Sequence, residues 1–137
     1  MEEIVELIER IGSDRKPLAI IIRRQFAPEQ STFLTQPDYE QQVGYIVHQA
    51  GDEILRHSHR PASREITGTP EVLVVKQGKC LIDIYDDEQT LVKTSELSEG
   101  DVMLMIGGGH GFRMLEDTVF LEVKQGPYLG VDEKIQF

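Results

Sequence analysis

Gly51-Asp52-Glu53-Ile54-Leu55-Arg56-His57-Ser58-His59 is the stretch on which the fold turns, completed downstream by Glu71 and by Gly107-Gly108-Gly109-His110. On a strand, His57 and His59 point to the same face, whereas a helix would splay them. Two neutral imidazoles on one wall of a sheet make half of a transition-metal site. Counting by twos, Leu55 shares the face of the two histidines, and Leu73 and Val75 share that of Glu71. Phe112 and Met114 share the face of His110, while Arg113 points away. Each candidate ligand therefore stands at the polar end of an apolar interior face. A carboxylate at the head of such a strand is costly to bury unless it is paired or bound to a cation. The glycines before His110 suit a tight turn that brings backbone close to the site.

Working outward, strand-like runs are predicted at roughly 18–26, 31–35, 43–49, 53–59, 71–77, 80–86, 90–94, 102–106, 111–115 and 118–124, separated by Gly-, Asp- and Pro-containing turns. Many short strands at near-regular spacing imply an all-β sandwich or barrel. One helix is predicted, over residues 1–12. There Ile4, Val5, Leu7, Ile8 and Ile11 recur at helical spacing and Gly12 supplies a stop. The 137 residues fit one domain, 1–137, with the barrel at 43–124 and a turn-rich tail at 125–137. Tyr128, Leu129 and Phe137 are suited to fold that tail back over the body.

The bulk composition excludes several classes. A net charge of −10, from 14 basic and 24 acidic residues, argues against a nucleic-acid surface, which needs a basic patch. Apolar runs such as Leu18–Ile22 and Val72–Val75 are too short to span a bilayer, so no membrane contact is expected. Met1 to Gly12 carries four acidic residues, against the basic start of a signal peptide. Cys80 is the single cysteine, which excludes an internal disulfide and fits a reducing cytoplasm. Its neighbours Leu81, Ile82 and Ile84 mark it as a small buried hydrophobe. His48 fits no motif and reads as a surface or satisfied core residue.

The candidate ligands and their glycine frames resemble the cupin superfamily. Gly51, His57, His59, Glu71 and Gly78 fit its first motif, and Gly100 to Ile106 followed by Gly107 to His110 fit its second. The resemblance implies a double-stranded β-helix, or jelly-roll barrel, often homodimeric. It also implies one divalent transition metal (Fe, Mn, Ni or Zn) held by His57, His59, Glu71 and His110. Three departures stand out. Eleven residues separate His59 from Glu71 where the family has three or four, Ile106 replaces the usual proline, and Met114 replaces the usual asparagine. The long spacer makes Glu65 an alternative ligand. Glu71 is preferred because it heads an apolar strand closed by Gly78. Residues 60–70 then form a loop at the barrel mouth, placed to gate or select a ligand. Dimerisation is expected through the N-terminal helix or an edge strand.

Three imidazoles and one carboxylate leave a divalent ion with a charge of about +1. Six-coordinate Fe, Mn, Co or Ni keeps two positions free, whereas tetrahedral Zn is closed or must expand. A metal-dependent enzyme acting on a small polar or anionic molecule is the expectation, either by dioxygenase chemistry or by isomerisation or hydrolysis. Arg64 and Arg60 are candidates to hold an anionic group, and Tyr128 to close over the pocket. Glu122 is a candidate acid/base, with a place on a solvated face as the alternative. Two other readings stand beside this one. A non-catalytic barrel would use its metal to anchor a small ligand. A metal-independent nucleotide-sugar isomerase or epimerase would use histidines as acid and base. The latter has similar counterparts to Arg56-His57-Ser58-His59 and to the ending Tyr128…Lys134-Ile135-Gln136-Phe137.

Overall fold

Among the described residues ten strands supply the regular structure, and every pairing between them is antiparallel. The computed structural model describes residues 6–130 and 133–137. The strands are β1 (Ile8–Gly12), β2 (Pro17–Ile22), β3 (Thr32–Phe33), β4 (Gly44–Tyr45), β5 (Glu71–Gln77), β6 (Lys79–Tyr85), β7 (Leu91–Ser98), β8 (Val102–Met105), β9 (Gly109–Met114) and β10 (Val119–Lys124). A five-stranded sheet runs β1-β2-β8-β5-β10, a three-stranded sheet runs β7-β6-β9, and β3 pairs with β4.

The two larger sheets pack face to face. Between them lie Ile11, Ala19, Ile21, Leu73, Val75, Met103 and Met105 from the first sheet, and Cys80, Ile82, Ile84 and Leu97 from the second. The far side of the five-stranded sheet is covered as well. Ile20, Ile22 and Leu104 pack there against Phe26, Leu34, Tyr39, Val43 and Tyr45. With both faces covered, β2 is buried at every position from Leu18 to Ile22, which explains its unbroken apolar run.

That double cover also corrects the helix predicted over residues 1–12. Met1 to Val5 lie outside the described residues, but Ile8–Gly12 is a strand paired to β2, with Ile8 opposite Ile22 and Ile11 opposite Ala19. Ile8 packs on the outer cluster and Ile11 on the inner one. Their three-residue spacing, read as one face of a helix, serves two faces of a strand. Isoleucine's branching favours the strand further.

A charge network closes the β1/β2/β7 side. Arg23, just past β2, donates to Asp101 at 3.2 Å and to Glu9 at 3.3 Å. Glu9 also pairs with Lys93 of β7. Asp101, 5% exposed, accepts from the backbone N–H of Arg24 (3.0 Å) and Ser98 (2.9 Å). Each of these four charges has a partner of opposite sign.

At the opposite margin stand β9 and β10. Among the described residues β9 pairs with β6 and β10 with β5, so both are edge strands, as β1 and β7 are. The run predicted as a strand at 53–59 forms none. From His48 to Glu65 every residue is exposed and without regular structure. The alternation suits a strand, but a strand exists only where its N–H and C=O groups find a ladder partner. This arm has no such partner among the described residues.

Candidate functional site

The site is built where the apolar interior runs out at the open side. Glu71 opens β5, opposite Met105 of β8 and Lys124 of β10. Leu73 and Val75, its same-face neighbours, are core residues, so the Glu71 carboxyl faces between the sheets. His110 on β9 lies opposite Ile84, and Phe112 opposite Ile82, which turns both rings to that interior. The His110 ring meets Phe112 edge-on at 5.8 Å, and Phe112 packs on Phe120 of β10. Two aromatic rings thus continue the interior beyond His110. Gly108, with φ of +66°, turns the chain into β9. A Cβ there would strike the Tyr85 carbonyl, so the turn requires glycine.

Nε2 of His110 stands 3.9 Å from Oε2 of Glu71. That is too long for a hydrogen bond. Neither group's titration is governed by the other. Burial raises Glu71 from 4.5 to about 7, helped by a hydrogen bond and repulsion from Glu122 and opposed by Lys124 and Lys134. Burial, with the nearby Lys134 charge, lowers His110, and Glu122 opposes. Near neutral pH, His110 is therefore an uncharged imidazole beside a carboxyl poised between its two forms. Glu122, opposite Leu73, shares a face with Glu71 and is itself exposed.

His57 and His59 lie elsewhere, on the exposed arm. Their rings are neighbours, with centroids 5.4 Å apart at 66°. Nδ1 of His57 sits 2.8 Å from the Leu55 carbonyl. A carbonyl only accepts, so in the neutral ring this contact puts the proton on Nδ1 and leaves Nε2 with the lone pair that a metal ligand needs. The four expected ligands thus stand as two pairs. Among the described residues, no group of three or more His, Cys, Asp or Glu side chains is placed to hold a metal ion. Three imidazoles and one carboxylate are chemically a donor set for a transition metal, and Glu71 and His110 are the two of the four that the sheets bring together.

The remaining candidates are spread around the mouth. Arg64, Arg60 and Glu65 are exposed on the arm. Tyr128 is 73% exposed, with the Lys124 ammonium 5.8 Å from its ring centre. His48 faces Asp52 at 3.7 Å near the surface. Phe137 does fold back, edge-on to Tyr85 at 5.1 Å. Lys134, which the sequence offers only as part of the ending Tyr128…Phe137, has a charge that reaches both Glu71 and His110. No local pattern marks a lysine of the tail as a neighbour of β5 and β9. Two hollows of about 270 and 290 Å³ open on the outer side, beside Leu34 and Tyr39 and beside Thr67 and Leu104. Neither includes an expected ligand. No helix among the described residues is long and apolar enough to cross a membrane. Compared with known proteins, the chain matches no family model, no curated protein and no solved structure.

Proposed function

We propose that this protein is a cupin-type metalloprotein that acts on a small polar or anionic molecule at the open end of its sandwich. The observation that carries the reading is the approach of Glu71 and His110 from opposite sheets, 3.9 Å apart. Both belong to the expected ligand set, although 38 positions separate them in sequence. His57 and His59 complete the set, and their arm must move to join it. Protein purified without chelator is expected to hold about one transition metal per chain by elemental analysis. His57→Ala with His59→Ala should abolish that metal, and Glu71→Gln should weaken its binding by about tenfold or more. Full occupancy in the double variant would contradict the ligand assignment.

A second reading draws on Glu71 itself. A carboxyl titrating at about 7 beside a neutral imidazole is an acid/base pair matched to neutral pH, with no metal required. Here Glu71 donates a proton, His110 accepts one, and Glu122 shares the proton of Glu71. Like the sugar-isomerase alternative it needs no metal, but it draws its acid from Glu71 where that chemistry uses histidines for both roles. Binding of nucleotide sugars to chelator-treated protein, lost in Glu71→Gln, would favour it over the metal reading.

A further inference from the structure

Residues 133–137 cross the mouth of the sandwich from one sheet to the other. At one end, Oε1 of Glu133 stands 3.9 Å from Nζ of Lys124, the β10 residue opposite Glu71. At the other, the Phe137 ring meets Tyr85 of β6 edge-on at 5.1 Å and lies against Gly109, the residue before His110. The first anchor belongs to the five-stranded sheet and the second to the three-stranded one. Four residue steps of extended chain reach about 13 Å, enough to bridge the roughly 10 Å between packed sheets. The segment is therefore tied beside each half of the site, to the cross-strand neighbour of Glu71 and to the chain neighbour of His110.

Gly109 marks the second anchor as a fitted seat. Its φ lies outside the left-handed region, so its backbone would accept a side chain. What excludes one is Phe137, because a Cβ at Gly109 would come within 2.9 Å of the ring. The seat is shallow, with Phe137 62% and Ile135 84% exposed. A segment with so little burial opens at small cost. Between the anchors comes Lys134. The charges that act on Glu71 and His110 are those of Glu122, Lys124 and Lys134, and Lys124 is shared with Glu133. Lys134 thus supplies positive charge to the Glu71/Glu122 pair, the service a bound metal ion would perform.

We propose that residues 133–137 are a strap that shuts the Glu71/His110 end of the sandwich, with Phe137 as its latch in the Gly109 seat and Lys134 as a built-in cation that a divalent metal ion must displace. The latch stands on the two anchors alone, and the displacement rests on the metal reading above. A doubly charged ion held by Glu71 and His110 is repelled by the Lys134 ammonium, so the strap opens as the metal enters. Lys134 acts through its charge and does not ligate the ion.

Limited trypsin digestion of chelator-treated protein reads the latch, because cleavage after Lys134 needs the segment free of both anchors. Gly109→Ala and Phe137→Ala should speed that cleavage about fivefold or more, while cleavage after Arg56 and Arg64, on the exposed arm, keeps its rate. Equal rates at Lys134 in wild type and both variants would overturn the latch. Calorimetric titration with cobalt(II) reads the displacement. Lys134→Met should tighten binding about threefold or more, Phe137→Ala should also tighten it, and Lys134→Arg should keep the wild-type affinity. Cobalt should likewise speed wild-type cleavage at Lys134. Unchanged or weaker binding in Lys134→Met, or cleavage that cobalt does not speed, overturns the displacement. If neither wild type nor Lys134→Met binds cobalt, the metal reading falls and the displacement with it, while the digestion still decides the latch.

Discussion

At the β1/β2/β7 side, Glu9, Arg23, Lys93 and Asp101 alternate in sign within contact distance, so each stands beside a group of opposite sign. At the β9/β10 side, Glu71 and Glu122 approach each other beside a neutral imidazole, and burial shifts what it cannot pair. Both sides place polar groups at a sheet margin. One spends them on holding two sheets together, and the other leaves them able to gain or lose a proton or accept a cation. Chemistry follows the unpaired side.

The largest expected effect belongs to the paired side. Asp101→Ala strips Arg23 of one partner and leaves the N–H groups of Arg24 and Ser98 without their acceptor. Urea denaturation should report a loss of about 3 to 5 kcal/mol, the range for breaking a buried pair. A loss below about 1 kcal/mol would place this network with ordinary surface pairs and remove the contrast.

Gly108→Ala should be milder, about 1 to 3 kcal/mol, from the strain of a side chain at positive φ. The same denaturation measures it. The variant should also lower metal affinity, since the turn sets the position of His110. Unchanged affinity would show that β9 holds the ring without help from the turn.

The smallest expected effect is a pH dependence. Glu71 titrates at about 7 in the folded chain against 4.5 ordinarily, so between those values the folded state binds more protons than the unfolded one. The stability of the metal-free protein should therefore fall as pH rises from 4.5 through 7. Glu71→Gln should flatten that slope in thermal melts recorded across this window. An unchanged slope would assign the pH dependence to other groups.

The half of the fold nearest the site was legible because its signals are local. The strand predicted at 71–77 is β5, and those predicted at 80–86, 102–106 and 118–124 lie within a residue of β6, β8 and β10 at each end. Glycines and Asp-containing turns bound them, and their alternation matches which faces are buried. Period-two counting likewise placed Glu71 and His110 on interior faces. What stayed hidden depends on partners. The helix reading of Ile8 and Ile11 failed because only the pairing with β2 tells a two-faced strand from a one-faced helix. Arg23 and Asp101 meet across 78 positions with no sequence mark of the encounter. Residues 53–59 have the alternation of a strand, yet alternation does not supply a neighbour to bond with.

Cys80 lies in the middle of the sandwich, fully enclosed, and burial together with the nearby Asp101 charge pushes its thiol above the usual range. Enclosed and protonated, it is deaf to alkylating reagents until the two layers part. The chain thus carries one internal clock. The rate at which this sulfur becomes labelled counts how often the molecule gapes open, and any partner that fastens the loose margin should slow the count.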